Sequence, residues 1–525
     1  MTSIASTGAV TTIGVPPAAT GVIRAGAKTD ADVVPASTTV TLGQSGPNAL
    51  TYTSQPAATA VAGVVWERDA VDSVSTAIAN AITARTAAGR LEGVASALLA
   101  RFKTDGSNYS QSATFSSGAG AVDGLAEALP TSLPGQAEDA YTLNITTASG
   151  VKVAVTLGNG ADGMAVQIEV TDGELNESER NAIAGLSKAF QDAVDGLASV
   201  PPRMALASLA KFDTAVLSSV SMQATSTANG VINQSVEFSA DSKQRSLTIK
   251  NADGVVKVNV DVSKAALMGN AQQRAAAVAD YLQQFEAARS RGRGDEALMS
   301  TFKDAFAELH QSYESGAAPS SQAPRIVAAG YTYRSLLSGV ADFSASVSQT
   351  MDASNPYKPG EVDQFTYQVS QSSSVSGRPL FDLGVKQEQR ANLAASFHTA
   401  LTPQQKLDLS NDKDSQNYKF YQIKDEVISQ TGIRYEQGFL AEATLTHSRN
   451  LSMRVQTYVK GEVIEEALIP VLETKTRDLL SLVRAADLEP TEAERLQRRD
   501  PAAADAMLLG KHLALARAVA RERQD

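Results

Sequence analysis

Tyr141-Thr142-Leu143-Asn144-Ile145-Thr146-Thr147-Ala148-Ser149-Gly150-Val151-Lys152-Val153-Ala154-Val155-Thr156-Leu157 is the stretch on which the fold turns. Tyr141, Leu143 and Ile145 alternate with Thr142, Asn144 and Thr146, the period of a strand with one buried face. Ala148-Ser149-Gly150 supplies a turn, because glycine accepts a positive φ without steric cost. The return strand carries Val151, Val153, Val155 and Leu157 on one side. Gly158-Asn159-Gly160-Ala161-Asp162-Gly163 is a second turn, and Met164, Val166, Ile168 and Val170 form a third alternating run. Three strands sharing one apolar face need a cover. It follows at once: Asn176 is placed as N-cap with Glu179 three residues on, the capping-box spacing. Ile183, Leu186, Phe190, Val194 and Leu197 then recur at helical spacing, and Pro201-Pro202 stops the run. The spacing predicts an antiparallel meander, Asp139 to Leu197, with an amphipathic helix laid on it.

Outward from this unit, residues 1–53 are rich in Ser, Thr, Ala, Gly and Pro and poor in charge. That composition predicts a disordered leader and is also that of type III or flagellar export leaders. Thr39 to Leu42 is a short strand candidate within it. Residues 54–136 read as a helical segment and connection: Val71, Val74, Ile78 and Ile82, then Leu91, Val94, Leu98 and Phe102, with Gly89 between them. Strand character returns at Ala113-Thr114-Phe115, and Gly118 to Gln136 is a connection.

Residues 137–314 form a meander-plus-helix domain. After a short helix over Ala205 to Phe212, strands are predicted at Leu217 to Thr225, Val231 to Ser239, Ser246 to Lys250 and Val255 to Val262. Leu143 to Val153 parallels Leu247 to Val258, with turn glycines at Gly150 and Gly254. This is either a duplicated module or two hairpins alike by construction. Helices are predicted from Asn270 to Ala288 and from Asp295 to Tyr313, joined by an Arg289 to Gly294 loop. Ser315 to Ala323 is a linker.

Residues 324–470 read as a second β-rich domain. Leu337-Ser338-Gly339-Val340 echoes Leu217-Ser218-Ser219-Val220. Phe365, Tyr367 and Val369 suggest a strand, Gln387 to Leu401 a helix, and Phe439 to Lys460 a hairpin; Tyr418 to Ile428 fits either helix or strand. Residues 471–525 read as C-terminal helices: Glu473 to Ala486, a capping box at Thr491 and Glu494, and a last helix opened by Asp500-Pro501. Met507, Leu508, His512, Leu515 and Val519 line one stripe of that helix.

The chain has 525 residues, a net charge of −11, 5% aromatic residues and no cysteine. The acidic balance argues against nucleic acid or anionic membranes as general partners. The absent thiols exclude disulfides and Cys-ligated metals. There is no basic, apolar signal peptide at the start and no apolar run of spanning length. A cytoplasmic place, or export by a route without a cleaved signal, follows.

Each chemical motif has a plainer explanation beside it. Gly158 to Gly163 matches G-x-G-x-x-G, but a dinucleotide site needs a helix start next, and Met164 to Ile168 is a strand, so the run is a turn. Asp162, Asp172 and Glu174, and the run Asp412 to Asn417, hold oxygen ligands. The latter has Asn417 and Ile423 where a calcium loop needs Gly and Glu, so both read as solvated acidic loops. His310, His398, His447 and His512 show no ligand spacing and read as structural or surface histidines. No G-x-S-x-G elbow or P-loop is present. Arg289 to Arg293 reads as a solvated basic loop, and Asp295 as a helix N-cap.

Asp172-Gly173-Glu174-Leu175-Asn176-Glu177-Ser178-Glu179-Arg180, continuing to Leu197, with Leu209 to Met222, resembles a family of large bacterial proteins of unknown function. In that family a Ser/Thr-rich N-terminus precedes a hairpin, an acidic helix start, a short helix and a serine-flanked strand. The resemblance covers about residues 141–225; Asn176 stands where Ser is more usual. It implies structure and carries no catalytic residue.

The fold class is therefore α+β, antiparallel meanders each covered by amphipathic helices behind a leader. The expected function is a non-enzymatic binding or structural protein with a protein partner and no cofactor, metal or catalytic residue assigned. The alternative is an enzyme with a dispersed acidic site acting on glycans, which needs two carboxylates facing each other in a cleft roughly 5–10 Å apart.

Overall fold

The computed structural model describes residues 63–68, 72–115, 137–200, 202–313, 336–377 and 382–481. The leader, the strand candidate at Thr39, the 118–136 connection, the 315–323 linker, the Thr491 capping box and the Asp500 helix with His512 lie outside them.

The first elements are β1 (Val64–Trp66), α1 (Ser73–Ala81), α2 (Ala87–Leu91), α3 (Val94–Ala100) and β2 (Tyr109–Phe115). The opening meander is β3 (Asp139–Thr147), β4 (Lys152–Gly160) and β5 (Gly163–Thr171), followed by α4 (Glu177–Gly185) and α5 (Ser187–Ala198). Next come β6 (Leu217–Ala228), β7 (Val231–Asp241), β8 (Gln244–Asn251) and β9 (Gly254–Asp261), then α6 (Ala271–Gly292) and α7 (Glu296–Gln311). The chain continues as β10 (Asp342–Gln349), β11 (Gln364–Ser376), β12 (Gly384–Ala400), β13 (Tyr418–Glu436), β14 (Phe439–Val459) and β15 (Glu462–Asp478). All the strands join one 15-stranded sheet in the order β1-β2-β5-β4-β3-β6-β7-β8-β9-β10-β11-β12-β13-β14-β15, antiparallel throughout. Residues 137–314 and 324–470 thus share a sheet through the β9–β10 pair. No helix among the described residues is long and apolar enough to cross a membrane.

The capping box forms as its spacing dictates. The Asn176 side chain accepts from the Glu179 N–H at 3.0 Å, and Glu179 accepts from the Asn176 N–H at 2.9 Å. Ile183, Phe190 and Val194 are buried against Leu143, Val155 and Ile168 in the main core. α6 and α7 lie on the same face: α7 packs on β9 and β10, and α6 on α7 and β12. Phe285 of α6 is fully buried, with ring centroids 4.7 Å from Phe302 and 5.0 Å from Phe306.

The echoed hairpins both form. Ile145 pairs with Val153 and Ile249 with Val256, all four buried. A third strand follows the first hairpin in the chain, whereas α6 follows the second. A closer match lies between Ala161-Asp162-Gly163 and Ala252-Asp253-Gly254. The Asp162 carbonyl accepts from the Phe115 N–H at 2.9 Å, and the Asp253 carbonyl from the Thr350 N–H at 2.8 Å. A Cβ on Gly163 would sit 2.2 Å from the Ala113 carbonyl oxygen, and one on Gly254 2.2 Å from that of Ser348. Glycine is required because a neighbouring strand passes there. The two turns differ in phase. After Gly163 the inward residues are Met164, Val166 and Ile168; after Gly254 they are Val256, Val258 and Val260. A one-residue shift puts the opposite side of the hairpin on the core. The sheet accordingly grows in opposite directions, to β2 beyond β5 and to β10 beyond β9.

Four expectations are corrected. Gln387 to Leu401 is not a helix but most of β12: its Gln, Glu, Arg and Ala residues favour helix intrinsically, yet Leu393 and Ala395 are buried on one side while Ala394 is exposed on the other, and strand neighbours on both sides override propensity. Glu473 to Asp478 belongs to β15 rather than to a C-terminal helix, drawn into the ladder by β14. Arg289 to Gly292 completes α6, so it is no loop. Ala205 to Phe212 yields only a 3₁₀ turn at Ala207–Ala210.

Candidate ligand-binding face

Helices cover one face of the sheet. The other face is polar from strand to strand. Ser110 pairs with Gln167, then Thr156, Thr142, Gln223, Glu237, Thr248, Lys257, Ser346, Gln368, Asn392, Glu426 and Asn450 follow in register. The row ends at Leu472 on β15, which is 84% exposed. Its origin is the period of two: each of these residues stands between inward neighbours such as Val256 and Val258 or Tyr367 and Val369.

In the middle of this face lies a hollow of about 370 Å³, lined by Lys257, Asn259, Ser344, Ser346, Gln368, Ser370, Arg390 and Asn392 over a floor of Ala345 and Val369. Three side-chain amides, three hydroxyls and two cations converge there, with no carboxylate and no aromatic ring. Arg390 is shared between Glu426 at 3.4 Å and Glu388 at 3.7 Å. Lys257 has no carboxylate within ion-pair distance among the described residues.

Three further polar clusters are closed. At one end of the same outward face, His398 is fully buried: its Nδ1 is 2.6 Å from Asp363 and its Nε2 3.2 Å from Glu361. The Tyr418 hydroxyl donates to Glu361 at 2.6 Å, and the Lys358 ammonium lies 3.9 Å from the Tyr458 ring centroid. Burial disfavours the imidazolium, but the hydrogen bonds and charges of Asp363 and Glu361 outweigh it and raise the His398 pKa. Burial likewise works against ionised Glu361, and the bonds from His398, Tyr418 and Tyr458 overcome it, so its pKa is lowered. Both carboxylates turn onto a single imidazole. With Ser396 donating to the Val362 carbonyl at 2.6 Å, they fasten the 352–363 segment over the ends of β12 and β13.

Beneath the sheet, Arg449 grips Asp425 through two bonds of 2.9 Å, and Arg291 from the end of α6 reaches the same carboxylate at 3.3 Å. Burial, foremost, lowers the Arg291 pKa, opposed by Asp425. Nearby, Gln371 accepts from Tyr281 at 3.1 Å and from Ser338 at 2.7 Å, and Asp342 holds Ser373 at 2.7 Å and Lys264 at 2.8 Å. These partners satisfy groups that would otherwise be stranded in a low dielectric.

The residues singled out from the sequence are scattered. Gly158 to Gly163 is the end of β4 and its turn. Asp162, Asp172 and Glu174 are exposed, Asp172 pairing with Lys152 at 2.8 Å. Asp412 caps a 3₁₀ turn, and Asp414 pairs with Lys460 at 3.2 Å. No group of three or more His, Asp or Glu is placed to hold a metal among the described residues. His310 sits in an aromatic nest with Phe306 and Phe343, Nδ1 2.6 Å from the Tyr313 hydroxyl, and burial lowers its pKa to about 3. His447 lies on β14. The expected solvated basic loop is corrected as well: Arg289 pairs with Glu286 at 2.7 Å and Arg291 is buried on Asp425, because both ride on the extended last turn of α6. Asp295 is the N-cap of α7, accepting from the Leu298 N–H at 2.7 Å.

Sequence reading missed the hollow and the His398 and Asp425 clusters, since their members meet only across elements distant in the chain: Asp425 lies 24 positions from Arg449 and 134 from Arg291, and His398 lies 37 from Glu361. One signal was present: Asp425 occupies an inward phase between Ile423 and Val427. No family model, curated protein or solved structure matches the chain.

Proposed function

We propose that the chain is a non-enzymatic binding protein that holds a protein partner against the open polar face of its sheet. The observation that carries this is the unbroken polar row with the amide- and hydroxyl-lined hollow at its centre. Such a surface offers donors and acceptors in a fixed array, suited to the polar, hydrogen-bonded interfaces of non-obligate complexes. The net charge of −11 works against a polyanion. The lack of an aromatic ring in the hollow removes the platform on which a sugar ring would rest. A glycan-cleaving role needs two carboxylates facing each other across a cleft; Glu361 and Asp363 instead share His398.

The test compares the full chain with Ser346→Trp and Asn392→Trp, outward substitutions that fill the hollow. Each is immobilised and challenged with native-cell extract and with neutral and acidic glycans. A protein retained by the unmodified chain and lost from both variants is the expected result. Identical retention by all three, or retention of a glycan alone, removes the proposal.

A further inference from the structure

β15 is the last strand of the sheet, and no described residue pairs with its outer side. It runs for 17 residues and nearly all of them are exposed, including Ile464 at 63%, Leu468 at 64% and Leu472 at 84%. The opposite edge, β1, has three residues. Long bare edges of this kind are templates for another strand.

The backbone shows which groups face outward. The Leu479 N–H donates to the Ala443 carbonyl at 2.7 Å, beside the Thr444–Asp478 pair. In an antiparallel ladder successive residues point their N–H and C=O groups alternately to the two sides. Odd-numbered residues from Val471 to Leu479 therefore face β14, and Leu472, Thr474 and Thr476 offer their N–H and C=O groups to the free edge. Pro470 falls in this outward phase and has no N–H to offer. It guards the middle of the strand against pairing that runs through it.

We infer that the outward edge of β15 pairs with β15 of a second copy, antiparallel and centred on Thr474. Head-to-tail growth finds no match among the described residues, where β1 has three residues against the 17 of β15. A two-fold axis makes the pairing self-complementary. Only some registers are open. Centring on Pro470 drives two donorless rings together, and centring on Glu466 sets glutamates against each other. Centring on Thr474 places Glu473 opposite Lys475 of the second copy twice over, and Leu472 opposite Thr476. It forms about six backbone hydrogen bonds, with Pro470 only at the margin. This interface is separate from the polar face and does not depend on it.

The chain has no cysteine, so one introduced thiol reports the register. Across the axis, paired Cα atoms lie at about 5.5 Å, within disulfide range. Under mild oxidation of the full chain, Thr474→Cys is expected to form a covalent dimer at least about tenfold faster than Leu468→Cys. By light scattering, the unmodified chain should rise from 54.9 kDa toward twice that mass with concentration. Thr474→Pro should stay monomeric with an unchanged melting temperature, since the Thr474 N–H does not serve β14. Equal crosslinking at both cysteines, or a monomer at every concentration without disulfide, overturns the inference. Were Thr474→Pro to unfold, the two cysteine variants would still decide.

Discussion

The region under the helices and the long-strand region beyond them use one sheet and two strategies. From β3 to β11 the strands are short, and their inward residues meet α4 to α7 in a carbon-lined core centred on Phe285 and Phe306. From β12 to β15 the strands reach 21 residues and outrun their cover. There the inward face is closed by Arg291, Asp425 and Arg449, by buried amides and by a second, smaller apolar cluster of Val385, Ile433 and Ala443 with Leu336 and Leu337, while the outward face is pinned at one end through His398. The two buried histidines carry the same contrast: carbon around His310 lowers its pKa, and carboxylates around His398 raise it. A sheet wider than its helices is completed by paired charge and directional hydrogen bonds interleaved with a smaller apolar cluster.

Two substitutions should have the largest effects and differ in cause. Phe285→Ala opens a cavity under α6, and Asp425→Ala leaves two guanidiniums without their shared carboxylate. Each is expected to cost about 3–5 kcal/mol by urea denaturation. The contrast breaks if Arg291→Met and Arg449→Met added to Asp425→Ala recover nothing. An ion cluster replaced as a whole is close to neutral, whereas a cavity stays open. Full loss in the triple variant would mean that Asp425 acts through packing alone.

A smaller effect separates the histidines by pH. The folded pKa of His310, about 3, lies below its ordinary 6.5. Its contribution is present above 6.5 and is lost as pH falls toward 3, at roughly 1.4 kcal/mol per pH unit. His398 has the opposite sign: its contribution is complete below 6.5 and lost as pH rises through its raised folded value. His310→Phe should therefore flatten the acid side of the stability profile, and His398→Gln the neutral-to-alkaline side. Matching changes in both variants would erase the distinction.

Most strands and helices from Asp139 to Gln311 were legible because each is locally encoded, whereas β1 and the 3₁₀ turn at Ala207–Ala210 were not. Period-two alternation, small-residue turns and the caps at Asn176 and Asp295 are written within a few residues of where they act. The candidate site was not legible. Lys257 and Arg390 are distant in the chain and become neighbours on one face only through β10 and β11.

By itself, then, the sequence determined the α+β class, the opening meander and its capped helix. Only the tertiary structure decided that Gln387 to Ala400 and Glu473 to Asp478 are strands, because cross-strand pairing supplies what local propensity denies. It also decided which way the sheet grows from each Ala-Asp-Gly turn. That direction depends on which face of the hairpin meets a core, and the core is assembled from residues far apart along the chain.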